Sequence, residues 1–344
     1  MRQSRGRHVT VVSLALLLAV LLLAAGVGSV HVGVTEGGRI LLARLFGLHL
    51  GPDWPVTHET ILWSIRLPRV LLGALVGMAL SVAGGAFQGL FRNPLADPYV
   101  LGVSGGASLG AALAIAFLNH MAVRGLGVVP LFAFAGGLLS ALVVYRLAAV
   151  GSRVPVVALL LAGVAVGSLA SSLVSLILFV TEPLQRDTII FWMMGGLSGA
   201  NWAKVGWLLP YLLVGAGVLL FYSRQLNALL MGEETARHLG VDVERLRRLV
   251  LVVGSLLTAA AVAFAGAIGF VGLIVPHVVR FLVGPDHRFL LPVSALVGAT
   301  VLVGADTLAR TLLPATEIPV GLVMALLGGP FFLWLLRRKL AGAQ

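Results

Sequence analysis

One short motif could supply a catalytic nucleophile. Residues 102–106 read GVSGG, which fits the G-x-S-x-G pattern that presents a serine on a strand-to-helix turn, and a similar G-x-S-G occurs in intramembrane serine proteases. The turn requires a strand before Ser104, and the sequence predicts none there. A protease would also need a histidine on a glycine-lined helix, and His277 lies instead in VPHVVR, residues 275–280. We therefore expect no catalytic residue in this chain.

Metal and nucleotide chemistry are limited by what the sequence lacks. There is no cysteine, so thiolate metal sites, disulfides and cysteine nucleophiles are excluded. Neither Lys204 nor Lys339 follows a glycine, so the G-x-x-x-x-G-K-[ST] loop that cradles ATP phosphates is absent. The eight histidines are scattered and lack the H-E-x-x-H spacing of a zinc site. We expect no metal site and no cofactor.

The composition places these residues in a membrane. Hydrophobic residues make up 59% of the 344 and charged residues 11%, with a mean hydropathy of +1.05, whereas soluble domains carry about 25% charged residues. Long uncharged runs predict a single all-α polytopic membrane domain over residues 1–344, with ten transmembrane helices. Only Gly266 and Gly269 separate the seventh helix from the eighth. The predicted helices cover residues 9–30, 68–90, 101–119, 127–149, 155–180, 203–222, 249–268, 269–284, 290–312 and 318–336.

The basic residues indicate the orientation. Ten spans put both termini on the same side, and with the termini in the cytoplasm 16 of the 24 Lys and Arg residues fall in cytoplasmic segments. This asymmetry follows the positive-inside rule of membrane proteins. It also accounts for the net charge of +11, because the chain has no long basic run suited to nucleic acid. We expect membrane lipid as a partner and no nucleic acid.

Two polar segments interrupt the apolar runs. Residues 92–110 contain Pro94 and Pro98, neither of which can continue a helix. Either a turn that faces a translocation pathway or an ordinary loop fits this segment. Residues 223–248 carry five arginines and four acidic residues, with apolar residues at helical spacing and Gly240 suited to end a helix. They predict two short cytoplasmic helices that offer a small apolar face to a partner protein.

Six segments, taken in order, carry a family resemblance. They are RLPRVLLGALVGMALSVAGGAFQGLFRNPLADPYVLGVSGGASLGA (66–111), LLLAGVAVGS (159–168), FWMMGGLSGANW (191–202), GEETARHLGV (232–241), GFVGLIVPHVVRFLVGPDHR (269–288) and ADTLARTLLPATEIPVGLVMALLGGPFFLWLL (305–336). Together they resemble the iron-siderophore, haem and cobalamin permeases, which are membrane subunits of type II ABC importers. The resemblance covers nearly the whole chain beyond the first sixty or so residues.

The resemblance implies a permease subunit of an ATP-driven importer for an iron chelate (siderophore or haem) or cobalamin. It implies a homodimer that encloses one pathway in the bacterial cell (inner) membrane. Two separate ATP-binding cassette subunits would hydrolyse ATP on the cytoplasmic side, so this chain would not itself be an enzyme. A soluble binding protein would deliver the substrate outside. Helices two to five and seven to ten would be inverted repeats.

The resemblance also implies a cytoplasmic gate. Asn93 and Leu95 of NPLAD match gate positions, and the start of the fifth helix, with Val156 and Val157, would form the other side. A gate must lie on backbone that can shift, which a turn between helices does more easily than a helix interior.

The segment 223–248 would then contact the ATPase. We hypothesise that four of its residues fill a groove on that subunit, since its apolar face has no other evident partner. They are Ala236, Leu239, Gly240 and Val241.

Three arginines lie at outer helix ends, where the positive-inside rule disfavours them. Arg66, Arg69 and Arg310 match family arginines that meet a glutamate on each lobe of the binding protein, and arginine binds carboxylates bidentately. Snorkelling at the membrane interface is the alternative. A stand-alone secondary transporter or channel remains a second functional class, but such proteins place ionisable groups within their helices. The candidate acid, Asp306, is followed by Arg310 one turn later, which indicates local neutralisation.

Overall fold

Ten apolar helices dominate the chain. The structure, a computed structural model, describes residues 2–28, 32–47, 54–118, 122–123, 126–151, 154–313 and 316–341. Seven of the described helices are long and apolar enough to cross a membrane, and three further apolar helices are shorter. The helices are α1 (Arg2–Gly26), α2 (Val34–Phe46), α3 (Val56–Thr60), α4 (Leu67–Leu90), α5 (Val103–Phe117), α6 (Val128–Ala148), α7 (Val156–Val180), α8 (Pro183–Met194), α9 (Trp202–Phe221), α10 (Ser223–Leu230), α11 (Glu233–His238), α12 (Val243–Ala265), α13 (Val271–Val283), α14 (His287–Thr311) and α15 (Val320–Ala341).

The ten predicted spans correspond to α1, α4–α7, α9 and α12–α15, so the all-α polytopic fold is confirmed. Four smaller elements complete the order: a π-helical turn, Ile61–Arg66, joins α3 to α4, a 3-10 helix, Pro98–Leu101, precedes α5, and β1 (Ala122–Val123) pairs antiparallel with β2 (Leu126–Gly127). Helices α2 and α8 are not among the predicted spans. Both are short or weakly apolar and lie between the predicted spans.

Helix α4 is the central helix of the bundle. Nearly all of its residues are buried, and it packs against α9, α12, α13 and α14. A helix that is apolar on every side can be buried against other helices or face lipid, and the contacts of α4 show that it is buried.

The almost continuous apolar run 249–284 is divided where the sequence predicts. Helix α12 ends at Ala265, and α13 begins at Val271 after two residues with positive φ, Gly266 (+71°) and Phe270 (+69°). Polar groups from other elements bind the backbone here: the Tyr99 hydroxyl donates to Ile268 O at 2.8 Å. Irregular backbone at membrane depth requires such partners, because lipid offers none.

The two predicted repeats share a distinctive element. Helices α4–α7 form the first set and α12–α15 the second, and in each the second helix is short, with 15 residues in α5 and 13 in α13. Each short helix follows an irregular segment, the 3-10 helix in one case and the Gly266–Phe270 turn in the other. This correspondence is the one that an inverted repeat predicts.

Small residues bring α5 and α6 into close contact. A methyl group added to Gly106 would overlap the carbonyl oxygen of Gly136, and one added to Gly136 would overlap the carbonyl oxygen of Gly106. The spacing Gly102–Gly106–Gly110 therefore serves helix packing, as small-xxx-small patterns do in membranes.

Candidate functional sites

Helix α4 connects the two ends of the bundle. Arg69 lies in its first turn, and Gly89, at its other end, lies against the imidazole of His287. At 1.5 Å per residue the 24-residue helix is about 36 Å long. His287 in turn hydrogen-bonds Asn227 of α10. We call the two ends the arginine-cluster end and the α10–α11 end.

The three predicted docking arginines lie together and are buried. We call Arg66, Arg69 and Arg310 the arginine cluster. Arg66 as a whole residue is 4% exposed, and the side chains of Arg69 and Arg310 are 9% and 7% exposed. Arg66 donates to Ala25 O and Gly26 O at 3.2 and 3.0 Å. The Arg310 guanidinium donates to Ala24 O. Docking through these residues stays a prediction, because the structure shows intrachain partners for all three.

Asp306 forms its main ion pair with Arg69 rather than with Arg310. Arg69 Nε and Nη2 donate to the Asp306 carboxylate at 2.9–3.1 Å, whereas Arg310 Nε lies 3.9 Å from Asp306 Oδ2. The predicted i,i+4 pair with Arg310 is therefore present, but the shorter, bidentate contacts make Arg69 the stronger partner of Asp306. Arg69 Nη1 also donates to Glu317 Oε2 at 2.8 Å, and the Glu317 side chain is 53% exposed.

The two short helices predicted in residues 223–248 are present as α10 and α11. Gly240, with φ +81°, ends the second helix: Gly240 N donates to Arg237 O and Val241 N to Ala236 O. This pair of bonds is the Schellman motif, whose left-handed position favours glycine. The turn fixes the direction in which the neighbouring Leu239 projects.

The four predicted coupling residues divide into buried and exposed. Ala236 is fully buried in the chain's own core, so the prediction that it fills a groove on another subunit is wrong. It faces inward because it lies on the side of α11 that packs against α10 and α12. Leu239 is 63% exposed, Gly240 is exposed, and Val241 is partly exposed. These three residues are the accessible part of the predicted coupling surface, and coupling through them stays a prediction.

Charged groups hold α11 and α10 to the bundle. Buried Arg247 of α12 binds Glu233 at 2.5 Å and Glu244 at 3.1 Å. Asn227 of α10 donates to Asp286 at 2.6 Å. Hydrogen bonds from Arg288 and Asn227 lower the pKa of Asp286 to about 2, so its carboxylate stays ionised. The coupling surface is therefore carried on a firmly attached segment.

The predicted gate turn is a hydrogen-bonded loop after α4. Asn93 is exposed and accepts from Leu95 N through its side-chain oxygen at 3.1 Å. Leu95 is partly exposed. Asp97 accepts from Tyr99 N at 2.8 Å and begins the 3-10 helix. Burial raises the pKa of Asp97 to about 6, and this effect outweighs the hydrogen bond from Tyr99.

The other predicted gate element lies at the start of α7. Val157 is 68% exposed, Val156 is partly exposed, and Val154 just before the helix is buried. An exposed valine at a helix start leaves an apolar surface that the chain itself does not cover. Gating by these residues stays a prediction.

A groove between the 3-10 helix, α5 and α7 runs along the chain. Its volume is about 690 Å³, and small residues create it: a methyl group added to Gly163 of α7 would overlap Val100 O. We call it the serine groove after its four serines. They are Ser104, Ser108, Ser168 and Ser171, with Tyr99 and Met193 among the other lining residues.

The comparisons with known proteins agree with this architecture. The sequence model of the FecCD transport family matches residues 16–338. The chain belongs to the FecCD transport family. It is 52% identical to the cobalamin import system permease protein BtuC of Halobacterium salinarum, covering 83% of this chain and 75% of that protein. It is 41% identical to the hemin transport system permease protein HmuU of Yersinia pestis, covering 83% and 87%.

A solved structure agrees with this FecCD-family fold over almost its full length. A metal-chelate type ABC transporter in an inward-facing conformation aligns with a TM-score of 0.81 at 32% identity, covering 96% of this chain and 99% of that one. The family resemblance stated from the sequence is therefore confirmed.

The serine groove is the feature of this FecCD-family chain that sequence reasoning missed. The sequence motif presents Ser104 only as a candidate nucleophile, and the structure places it in the wall of the groove. One signal was available: Ser171 interrupts an apolar helix, and both Ser168 and Ser171 are exposed. Polar side chains within a membrane helix commonly face a cavity or a neighbouring helix.

Proposed function

We propose that this chain is the membrane permease subunit of an ATP-driven importer, and that two copies form its translocation pathway. The observation that carries the proposal is the exposed apolar surface at Leu239, Gly240 and Val241. It lies on a segment tied to the bundle by the Arg247–Glu233 ion pair and the Asn227–Asp286 hydrogen bond, at the end opposite the arginine cluster. A separate ATPase subunit that binds this surface could move the bundle. The family membership supports the same assignment.

The proposed orientation puts both termini and the α10–α11 end in the cytoplasm of the cell (inner) membrane. The excess of arginine in the corresponding segments supports it. Two ATP-binding cassette subunits then bind at this end, and an extracytoplasmic binding protein docks at the arginine-cluster end. A secondary transporter is disfavoured because its candidate acid, Asp306, is held bidentately by Arg69.

The proposed substrate is cobalamin or a related large metal chelate such as haem or a ferric siderophore. The 52% identity to a cobalamin permease supports the corrinoid first, and the 41% identity to a hemin permease supports haem second. The serine groove offers each copy small hydroxyl-bearing residues along the proposed path. Two copies that face each other would double this space.

In the proposed gate, Asn93 and Leu95 of one copy, with Val156 and Val157, close the cytoplasmic end of the path. Their exposure in the single chain supports a role between copies. In the proposed docking, the arginine cluster attracts carboxylates of the binding protein. Because substitution of Arg69 would also break its bidentate ion pair with Asp306, Arg66 is the residue to test first.

The experiment reconstitutes the chain with its ATPase subunit and binding protein in vesicles. We expect uptake of cyanocobalamin that requires ATP and stops with vanadate. Haemin and a ferric siderophore are offered in parallel, so a wrong substrate is separated from a wrong transport class. Uptake driven by an ion gradient without ATP would contradict the importer assignment.

A further inference from the structure

A second groove lies on the outside of the bundle between α6 and α12. Its volume is about 430 Å³. We call it the α6–α12 groove. Its lining is mostly apolar. Tyr145, Arg146 and Arg248 lie at one end, and Ser255 lies about two turns along α12 from Arg248. The other lining residues are Leu101, Leu138, Ala141, Leu142, Leu159, Leu251 and Val252.

The floor and the rims of this groove differ in exposure. Ala141, Leu159 and Leu251 at the floor are buried, whereas Leu142 and Val252 at the rims are 51% and 65% exposed. Exposed apolar rims around an apolar floor suit the hydrocarbon of a membrane rather than water. From residue 138 to residue 146 the groove follows α6 for about 12 Å. This length matches a stretch of an acyl chain.

Two arginines close the same end of the groove. Arg146 lies in the last turn of α6, and Arg248 lies near the start of the antiparallel α12. Both side chains are exposed. Among the described residues neither guanidinium takes part in an ion pair, although Arg247 next to Arg248 has two. Two exposed guanidinium groups at one site form a binding position for phosphate.

The arginines lie at the depth of lipid headgroups. Helix α6 has 21 residues and is therefore about 31 Å long, close to the roughly 30 Å hydrocarbon thickness of a bilayer. Arg146 is two residues from its end. Tyr145 lines the groove at the same level, where aromatic residues with a polar tip are common.

We propose that the α6–α12 groove binds an anionic phospholipid, with one acyl chain on the Ala141–Leu251 floor and the headgroup phosphate between Arg146 and Arg248. The proposal rests on the membrane location of the chain and not on its transport function. The bound lipid bridges α6 of one predicted repeat to α12 of the other.

The test uses the purified full chain in nanodiscs of equimolar phosphatidylcholine and phosphatidylglycerol. Lipids that stay bound after detergent washing are counted by native mass spectrometry. We expect phosphatidylglycerol to be retained in preference to phosphatidylcholine. The double variant R146Q/R248Q should lower this retention on the order of tenfold, because each basic residue near the membrane surface strengthens the binding of anionic lipid several-fold. The matched double variant R224Q/R245Q removes two exposed arginines outside the groove and leaves the retention unchanged.

Further variants and measurements distinguish a phospholipid from other occupants of the groove. Ala141→Phe fills the floor and weakens phosphatidylglycerol retention with both arginines present; if it fails to fold, Leu142→Trp at the rim gives the same test. Equal retention of both lipids, or equal retention in R146Q/R248Q and its control, overturns the proposal. Displacement of phosphatidylglycerol by inorganic phosphate alone overturns the acyl-chain contact. Loss of ATPase co-purification in R146Q/R248Q with unchanged lipid retention assigns the arginines to a protein partner and also overturns it.

Discussion

Asp306 is the residue whose loss we expect to destabilise this chain most. Its side chain is 3% exposed and accepts three hydrogen bonds from Arg69, whose own side chain is 9% exposed. Changing Asp306 to Asn keeps the shape but removes the negative charge. Two buried guanidinium groups, those of Arg69 and Arg310, then lose their common carboxylate. Arg69 keeps its ion pair with the half-exposed Glu317, but both arginines lose the buried carboxylate, which is costly because water cannot replace it.

The magnitude follows from the burial. Removal of one partner of a buried ion pair costs about 3–5 kcal/mol of the free energy of unfolding. At about 2 °C per kcal/mol for a large domain, the midpoint of thermal unfolding should fall by about 6–10 °C. The assay follows unfolding of the purified full-length protein in detergent by intrinsic tryptophan fluorescence.

Glu317→Gln is the matched control. It removes the same charge from the same arginine, but the Glu317 side chain is 53% exposed, so its ion pair contributes only about 0–1 kcal/mol. A second control, Arg69→Met with Asp306→Leu, removes both charges and should recover part of the loss. Equal melting temperatures for Asp306→Asn and Glu317→Gln would refute the reasoning.

Four other outcomes are expected. Leu239→Asp should weaken ATPase binding by at least about tenfold, because it removes roughly 1–2 kcal/mol of apolar burial and adds a carboxylate. Binding is measured by pull-down, with His238→Asp at the exposed neighbouring position as the control. Wild-type binding by Leu239→Asp would contradict the predicted coupling surface. Leu95→Ala should raise the passive leak of substrate from loaded vesicles without ATP, and an unchanged leak would move the gate elsewhere. Arg66→Glu should slow capture of the binding protein at low salt, and an unchanged on-rate across a salt series would leave it a structural role. Burial raises the pKa of Asp97 from 3.8 to about 6 in the folded chain, so between about pH 4 and 6 the folded chain keeps a proton on Asp97 that the unfolded chain has lost. The free energy of unfolding should therefore fall as pH rises from about 4 to 6. Asp97→Asn should flatten this pH dependence in thermal unfolding.

The sequence predicted the elements of this chain better than the contacts between them. Hydropathy located the ten apolar helices because each span must satisfy its own backbone in lipid. The break between α12 and α13 was predicted from Gly266, and α10 and α11 from apolar spacing and Gly240. These signals are local, since each lies within one or two helical turns.

The contacts that determine the sites are not local. Arg69 meets Asp306 and Glu317, which lie 237 and 248 residues further along the chain. The sequence alone can indicate only the i,i+4 neighbour Arg310 as a partner of Asp306. Ala236 and Leu239 both fit an apolar helix face, and only packing against α10 and α12 determines which of them is buried. The serine groove likewise arises from two helices that approach each other.

The irregular segment before each short helix has a mechanical consequence. Pro98, from the segment of the first repeat, packs against Gly272 in the short helix of the second, and Tyr99 binds Ile268 in the turn before that helix. Gln88 of α4 adds a bond to Leu273 O at 2.9 Å. These contacts join the two repeats, and one repeat cannot rotate away from the other without breaking them. We therefore expect the two repeats of one chain to move together as a single body, so that in the proposed dimer the path opens by displacement of one copy relative to the other.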